Sequence, residues 1–294
     1  KMFYFCIKII DMYKEYNKED LFNSIDKLDI QRINNTVVTK YGDKVLKHSN
    51  VSNRYEIFDI SKYLKEKINI LEDNFNISQY SFIVKSGIQY LRLISDVVNI
   101  NGVEFYKSFF ILNSTDRSRK LSFDVGLKSK NYGFYLIGNS NASFSKKHLN
   151  GVTKAAEDAS SFDGETFDEQ INSISGLIGN KILFSEMRNL ILETETKDDV
   201  TDSNHLKFDV FKKKVMLHKE KYTNNQRNIL LTKSKDINQI SNENDFYLDA
   251  FWCLQSYMSI FKNRDSHIIK KESDKIMNIT VKSIRDKKIE LLLA

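Results

Sequence analysis

The spacing of apolar and polar positions changes period along the chain. Residues 1–75 mix short periodic pieces, Asp20–Leu28 and Ser61–Leu71, with polar turns such as Tyr41-Gly42-Asp43. Tyr63, Leu64, Ile68 and Leu71 recur at helical spacing behind Ser61, whose hydroxyl suits an N-cap. Over residues 78–138 the period becomes two. Leu121, Phe123, Val125 and Leu127 alternate with Lys120, Ser122, Asp124 and Gly126, the pattern of a half-buried strand. Tyr80–Val84, Tyr90–Ile94, Val103–Leu112 and Tyr132–Ile137 are rich in β-branched and aromatic residues. The turn signals between these segments, Ser86-Gly87, Asn99–Gly102, Asn113–Ser118 and Lys128–Asn131, are too short for helical crossovers. About five antiparallel strands in a meander are therefore expected in residues 78–138.

From about Lys146 the spacing is helical. Phe167, Ile171, Ile174 and Ile178 share one helix face, as do Tyr247, Ala250, Phe251, Leu254, Met258 and Phe261. Lys207–Tyr222 and Glu272–Leu293 are further helix candidates, and the polar stretches Thr194–Asn204 and Thr223–Asn244 read as surface loops. The expected class is α+β: residues 1–145 hold the antiparallel sheet, and residues 146–294 form a helical region packed on it. The two regions can equally be read as one domain.

Composition narrows the class. The 294 residues are 41% hydrophobic and 29% charged, the balance of a soluble globular protein. No apolar run reaches the roughly 20 residues that span a bilayer, so no membrane partner is expected. Met2–Ile10 is apolar but short and interrupted by Lys8, which suits a strand or buried segment better than a signal peptide. Two cysteines, Cys6 and Cys253, are too few for a disulfide framework and suit a reducing compartment. Proline is absent, so turns fall to Gly, Asn, Asp and Ser.

The net charge of +6 hides strong zoning. Residues 117–147 carry seven basic side chains against one acid, residues 152–202 four against twelve, and residues 206–235 nine against two. Motifs for catalysis are missing. No His-x-x-x-His or Cys-x-x-Cys pair is present, and no Gly-rich phosphate loop or nucleophile elbow, so no metal, cofactor or catalytic residue is assigned. The acid cluster Glu157, Asp158, Asp163, Glu165, Asp168 and Glu169 lacks the order of a calcium loop and suits a helix start.

The basic strand–turn zone is the candidate binding surface. Arg117, Arg119, Lys120, Lys128, Lys130, Lys146 and Lys147 would track phosphates while Tyr132 or Tyr135 stacks on unpaired bases. The competing reading is a solvated lysine-rich rim with those rings in the core.

Several short segments follow one another in a recognisable order. Arg54-Tyr55-Glu56 stands upstream, Phe109–Leu112 runs into Asn113-Ser114-Thr115-Asp116-Arg117-Ser118, and Leu121–Leu127 carries Gly126. Gly138-Asn139 and Ser143–Leu149 follow, with Lys147-His148 ahead of an Ala-rich helix start. In this order residues 53–160 resemble the phage/plasmid-like proteins of unknown function, found in bacteriophages, prophages and conjugative elements. Thr115 stands where that family has His, Arg117 where it has Gly, and no Cys precedes Asn139. The resemblance implies a role in phage or plasmid DNA metabolism, or in countering the host.

The expectation is a non-enzymatic nucleic-acid-binding protein of a bacteriophage or mobile element, handling single-stranded DNA during recombination or replication. It would act in the host cytoplasm or with the virion, alone or as a homo-oligomer. The alternative is a virion structural protein or an inhibitor of a host factor, whose alternating charge zones would choose a protein partner.

Overall fold

The computed structural model describes residues 14–115, 118–138, 140, 142–148, 151–154, 166–192, 202–233, 245–262, 264 and 266–278. The fold is α+β, with antiparallel strands leading and helices following. The chain divides into two compact units. The first comprises Lys1–Asn99, Val103–Lys130 and Ile137–Gln170, and the second Ile100–Gly102, Asn131–Leu136 and Ile171–Ala294. Met2–Ile10, Arg117, Asn139, most of the acid cluster and residues 279–294 lie outside the described residues.

In the first unit β1 (Lys14–Tyr16) and α1 (Lys18–Ile25) lead into a separate three-stranded sheet. Its strands β2 (Leu28–Ile33), β3 (Thr36–Tyr41) and β4 (Lys44–Asn50) pair in sequence order. The sequence pattern predicts only turns and short periodic pieces here. The strands carry Lys40, Lys44 and Lys47 with Thr36 and Thr39, and β4 alternates poorly, so its hydrophobic period is weak.

Helix α2 (Ile60–Asn74) follows, and its cap is Asp59, whose side chain accepts from the Lys62 amide; Ser61, the expected cap, instead directs its hydroxyl at the Ile25 and Leu28 carbonyls. Its buried stripe is Ile60, Tyr63, Leu64, Lys67, Ile68 and Leu71. Each aliphatic side chain on the stripe contributes about 2 kcal/mol of burial free energy. Lys67 lies on the same stripe, 2% exposed, with its ammonium 5.7 Å from the ring centroids of both Tyr63 and Phe123.

The main sheet follows: β5 (Gln79–Lys85), β6 (Ile88–Ile100), β7 (Val103–Ser114), β8 (Leu121–Ser129), β9 (Tyr135–Ile137) and β10 (Phe144–Lys146). Its path runs β1-β5-β6-β7-β8-β10. The meander expected from the period-two segments is present, with extra strands at both ends of the path. Tight turns at Ser86-Gly87 and Asn101-Gly102 have positive φ at both residues, as two-residue hairpins with right-handed strand twist require. Strand β9 begins at Tyr135 and not at Tyr132, because Gly133 at φ +67° breaks the extended run. β8 is buried on both faces, Ser122, Asp124 and Gly126 included, so it is not the half-exposed strand its alternation suggests.

The Asn113–Ser118 segment also differs from a simple exposed turn. β7 continues through Ser114, and Asn113, Ser114 and Thr115 are buried. Asn113 donates to Gln89 Oε1 at 2.5 Å, and the Thr115 amide donates to the Gly87 carbonyl at 2.9 Å. The Thr115 hydroxyl sits 2.5 Å from that of Thr39. A side chain at Gly87 would place its Cβ 2.9 Å from Thr115 Oγ1, so only glycine serves there.

The second unit contains α3 (Asp168–Leu177) from Ile171 onward, β11 (Lys181–Leu183), α4 (Phe184–Leu192), α5 (Asp202–Val215), a 3-10 turn (Met216–Lys221), α6 (Asn224–Leu231), β12 (Tyr247–Asp249) and α7 (Ala250–Met258). β11 and β12 pair antiparallel. Gly176 lies within α3, and Gly179 at φ +83° stops the chain just after it, so the Ser175–Gly179 segment ends a helix and does not kink one. Helix α6 occupies part of the expected Thr223–Asn244 loop; its Thr223–Gln226 capping box is satisfied in both directions. Asp249 caps α7 and Asp245 accepts from the amide and hydroxyl of Ser185 at the start of α4. Tyr247 belongs to β12 and is half exposed, so it leaves the helical stripe that Ala250, Leu254 and Met258 share. Phe184, Met187, Phe208, Phe211, Leu254 and Tyr257 fill the core of this unit.

Candidate nucleic-acid interface

The expected phosphate-contacting residues divide along β8. In the β8–β10 register Lys146 faces Leu121, which brings residues 119–120 alongside 146–147. Lys120, Lys146 and Lys147 are exposed there, and Arg119 is half-buried with its guanidinium donating to the Ser118 carbonyl at 2.9 Å. Lys128 and Lys130 sit at the other end of the strand, roughly 25 Å away at ~3.3 Å per residue. Consecutive turns of a meander fall at opposite sheet ends, so the two basic turns do not share an edge. Lys128 is half-buried, and desolvation together with the neighbouring Arg92 holds its amine below the usual lysine range, against the pull of Glu15. Lys130 is paired with Glu104 at 2.9 Å.

Of the expected stacking rings, Tyr135 is 4% exposed and presents no face to solvent, whereas Tyr132 is 45% exposed. In the second unit Tyr132 meets Trp252 edge-on, with centroids 6.0 Å apart and planes at 75°. Trp252 meets His218 at 3.7 Å and 87°. The row Tyr132–Trp252–His218 is thus assembled from three distant stretches of chain.

Local structure holds each member. Trp252 stands in the first turn of α7, its amide bonded to Asp249 and its indole N–H directed at the Val215 carbonyl at 3.4 Å. Val215 ends α5, and His218 follows at φ −104°, ψ 41°, a break in the helical path. His218 Nδ1 lies 3.2 Å from Glu220. The ring row is flanked by cations. Residues 212–233 contain seven basic side chains and a single acid, Glu220. Lys213, Lys219, Lys221 and Lys233 are exposed. Burial, and the like charge of Lys262, lower the Lys214 amine below its ordinary value. Leu217, 73% exposed, adds an apolar contact beside His218.

The arrangement offers half-exposed ring faces and edges beside flexible ammonium groups. Rings of this kind accept any base by its π-face, while ammonium groups follow the phosphates without reading sequence. The sequence pattern alone gives Trp252 no role and places His218 on a helix. Composition shows the basic zone, but the rings that meet beside it are far apart in the chain.

A second constellation lies in the first unit and joins residues 55–56 to residues 148–153. Tyr55 stacks on His148 with centroids 5.4 Å apart, and Glu56 accepts from the amides of Gly151, Val152 and Thr153 and from the Thr153 hydroxyl. These bonds hold the Glu56 carboxyl below its usual value. His148 is 6% exposed with no hydrogen bond to either ring nitrogen, and burial pushes it down to about 4 although Glu56 pulls the other way. This pair is built for packing: a neutral ring against a ring, and a carboxylate on a helix start. Among the described residues no group of His, Cys, Asp and Glu could hold a metal ion, and no helix is long and apolar enough to cross a membrane. Cys253 is buried, and desolvation raises its thiol well above the ordinary range, as befits a small core residue.

No protein-family model, curated protein or solved structure matches this chain.

Proposed function

We propose that this protein binds single-stranded nucleic acid, without catalysing a reaction on it, through the helical unit's ring row and its basic neighbours. The observation that carries the reading is the meeting of Tyr132, Trp252 and His218 beside the cation-rich segment 212–233. Lys120, Lys146 and Lys147, side by side at one end of β8, form a separate basic patch on the first unit. The resemblance of residues 53–160 to phage/plasmid-like proteins supports a role on phage or mobile-element DNA in the host cytoplasm. Anisotropy of a labelled ~20-nucleotide single strand tests it: affinity is expected at low salt and falls steeply as salt rises. Absence of binding at low salt overturns the reading.

Exposed Leu206, Leu217 and Leu231 on the same unit favour a second reading, a surface that docks a virion or host protein. A stoichiometric protein partner, with no retention of nucleic acid, would select it.

A further inference from the structure

A cavity of about 300 Å³ opens in the second unit between the ends of α5 and α6. This is the lower end of the size range of small-molecule sites, roughly 300–1,000 Å³. Its polar lining is Lys212, Lys213 and Lys233, with Asp209. Its apolar lining is Met216, Leu230 and the exposed Leu231.

The charges are not equivalent. Lys212 is buried, donates to the Thr232 carbonyl at the end of α6, and pairs with Asp209 at 3.3 Å. It therefore balances the charge of Asp209 and satisfies a helix-terminal carbonyl. Lys213 and Lys233 are exposed and make no ion pair among the described residues. A site lined by two exposed lysines and by apolar side chains fits a ligand that joins a compact dianion to an apolar body. That is the chemistry of a phosphate monoester.

We propose that this cavity holds one phosphorylated nucleotide, the terminal residue of a bound strand, with its phosphate on Lys213 and Lys233 and its base against Met216 and Leu230. The choice of a nucleoside as the body rests on the nucleic-acid reading above; a lipid phosphate shares the charged end and is distinguished by the test. The two ammonium groups bind a dianionic terminal phosphate more strongly than the monoanionic diester within a strand. The cavity would thus favour strand ends over strand interiors.

Equilibrium dialysis of the full chain against thymidine monophosphate, thymidine, inorganic phosphate and dodecyl phosphate tests the proposal. Thymidine monophosphate is expected to bind at least tenfold more tightly than each of the others. Lys213→Ala with Lys233→Ala should remove that preference while the melting temperature stays unchanged. A 5′-phosphorylated 20-mer should outcompete its 5′-hydroxyl form. Equal binding of thymidine and its monophosphate, tighter binding of dodecyl phosphate, or a preference that survives the double substitution overturns the cavity's role. A wild-type chain that binds thymidine monophosphate but no 20-mer would instead overturn the ring-row interface and leave the cavity standing.

Discussion

Trp252 and His218 stand edge to face with ring centroids 3.7 Å apart and planes at 87°, joining α7 to the break that follows α5. The indole N–H is directed back to Val215, three residues before that histidine, so the ring is anchored at both its nitrogen and its edge. An aromatic held this way loses little further freedom when a base stacks on it.

Replacing Trp252 by Ala removes one stacking platform. Base–aromatic stacking is worth about 1–3 kcal/mol per base, so single-strand affinity should fall by roughly 5- to 150-fold. Trp252→Phe keeps a ring and should recover part of that affinity. Anisotropy titration of each variant, with thermal melts to confirm the fold, measures this directly.

Charge reversal should separate the cations. Lys219→Glu with Lys221→Glu should flatten the dependence of log affinity on log salt by about 0.7 for each phosphate no longer neutralised. Lys130→Glu should leave that slope unchanged, because the Lys130 ammonium already lies on Glu104 at 2.9 Å. Equal effects from both substitutions would mean that net charge, and not the ring-flanking segment, governs binding.

His148 makes stability depend on pH. Its folded value of about 4 lies below the ordinary 6.5, so the unfolded chain takes up the proton first as pH falls. Its contribution is intact above pH 6.5 and is lost progressively as pH drops toward 4, about 2 kcal/mol by pH 5 and about 3 kcal/mol in all. His148→Phe preserves a ring against Tyr55 and should flatten this part of the stability profile. Urea melts at pH 7 and pH 5 provide the comparison.

Lys67 works in the alkaline range. Burial pushes its amine down to about 8 from 10.5, so the unfolded chain holds the extra proton between those values and stability rises with pH across that window. At pH 7 the charged form costs about 3 kcal/mol. Lys67→Met should therefore be more stable at neutral pH, and urea melts should show no rise in its stability between pH 8 and 10.5.

The strands that alternate cleanly, β5 to β8, are legible in the sequence because their hydrophobic period and their Gly- and Asn-bearing turns agree. The β2–β4 sheet is not, since Lys and Thr blur its alternation and three consecutive residues of β3, Val37, Val38 and Thr39, are buried. Helix α6 carries a readable signal in Thr223 and Gln226, the two ends of a capping box, within a stretch whose polarity suggests a loop. The proposed interface is half legible. Lysines cluster within residues 206–235, but the pairing of Tyr132 with Trp252 and of Trp252 with His218 depends on long-range packing that no local pattern encodes. Tyr132 and Tyr135 show the same limit. They lie three residues apart with similar chemistry, and only Tyr132 reaches solvent.

Trp252 is the chain's single tryptophan, so its emission reports on the ring row alone. Titration with a ~20-nucleotide single strand at low salt, followed by addition of salt, therefore probes the proposed interface at its centre. Quenching is expected to saturate with the strand and to reverse steeply as salt rises. Strand binding that leaves Trp252 emission unchanged would refute the ring row as the binding surface.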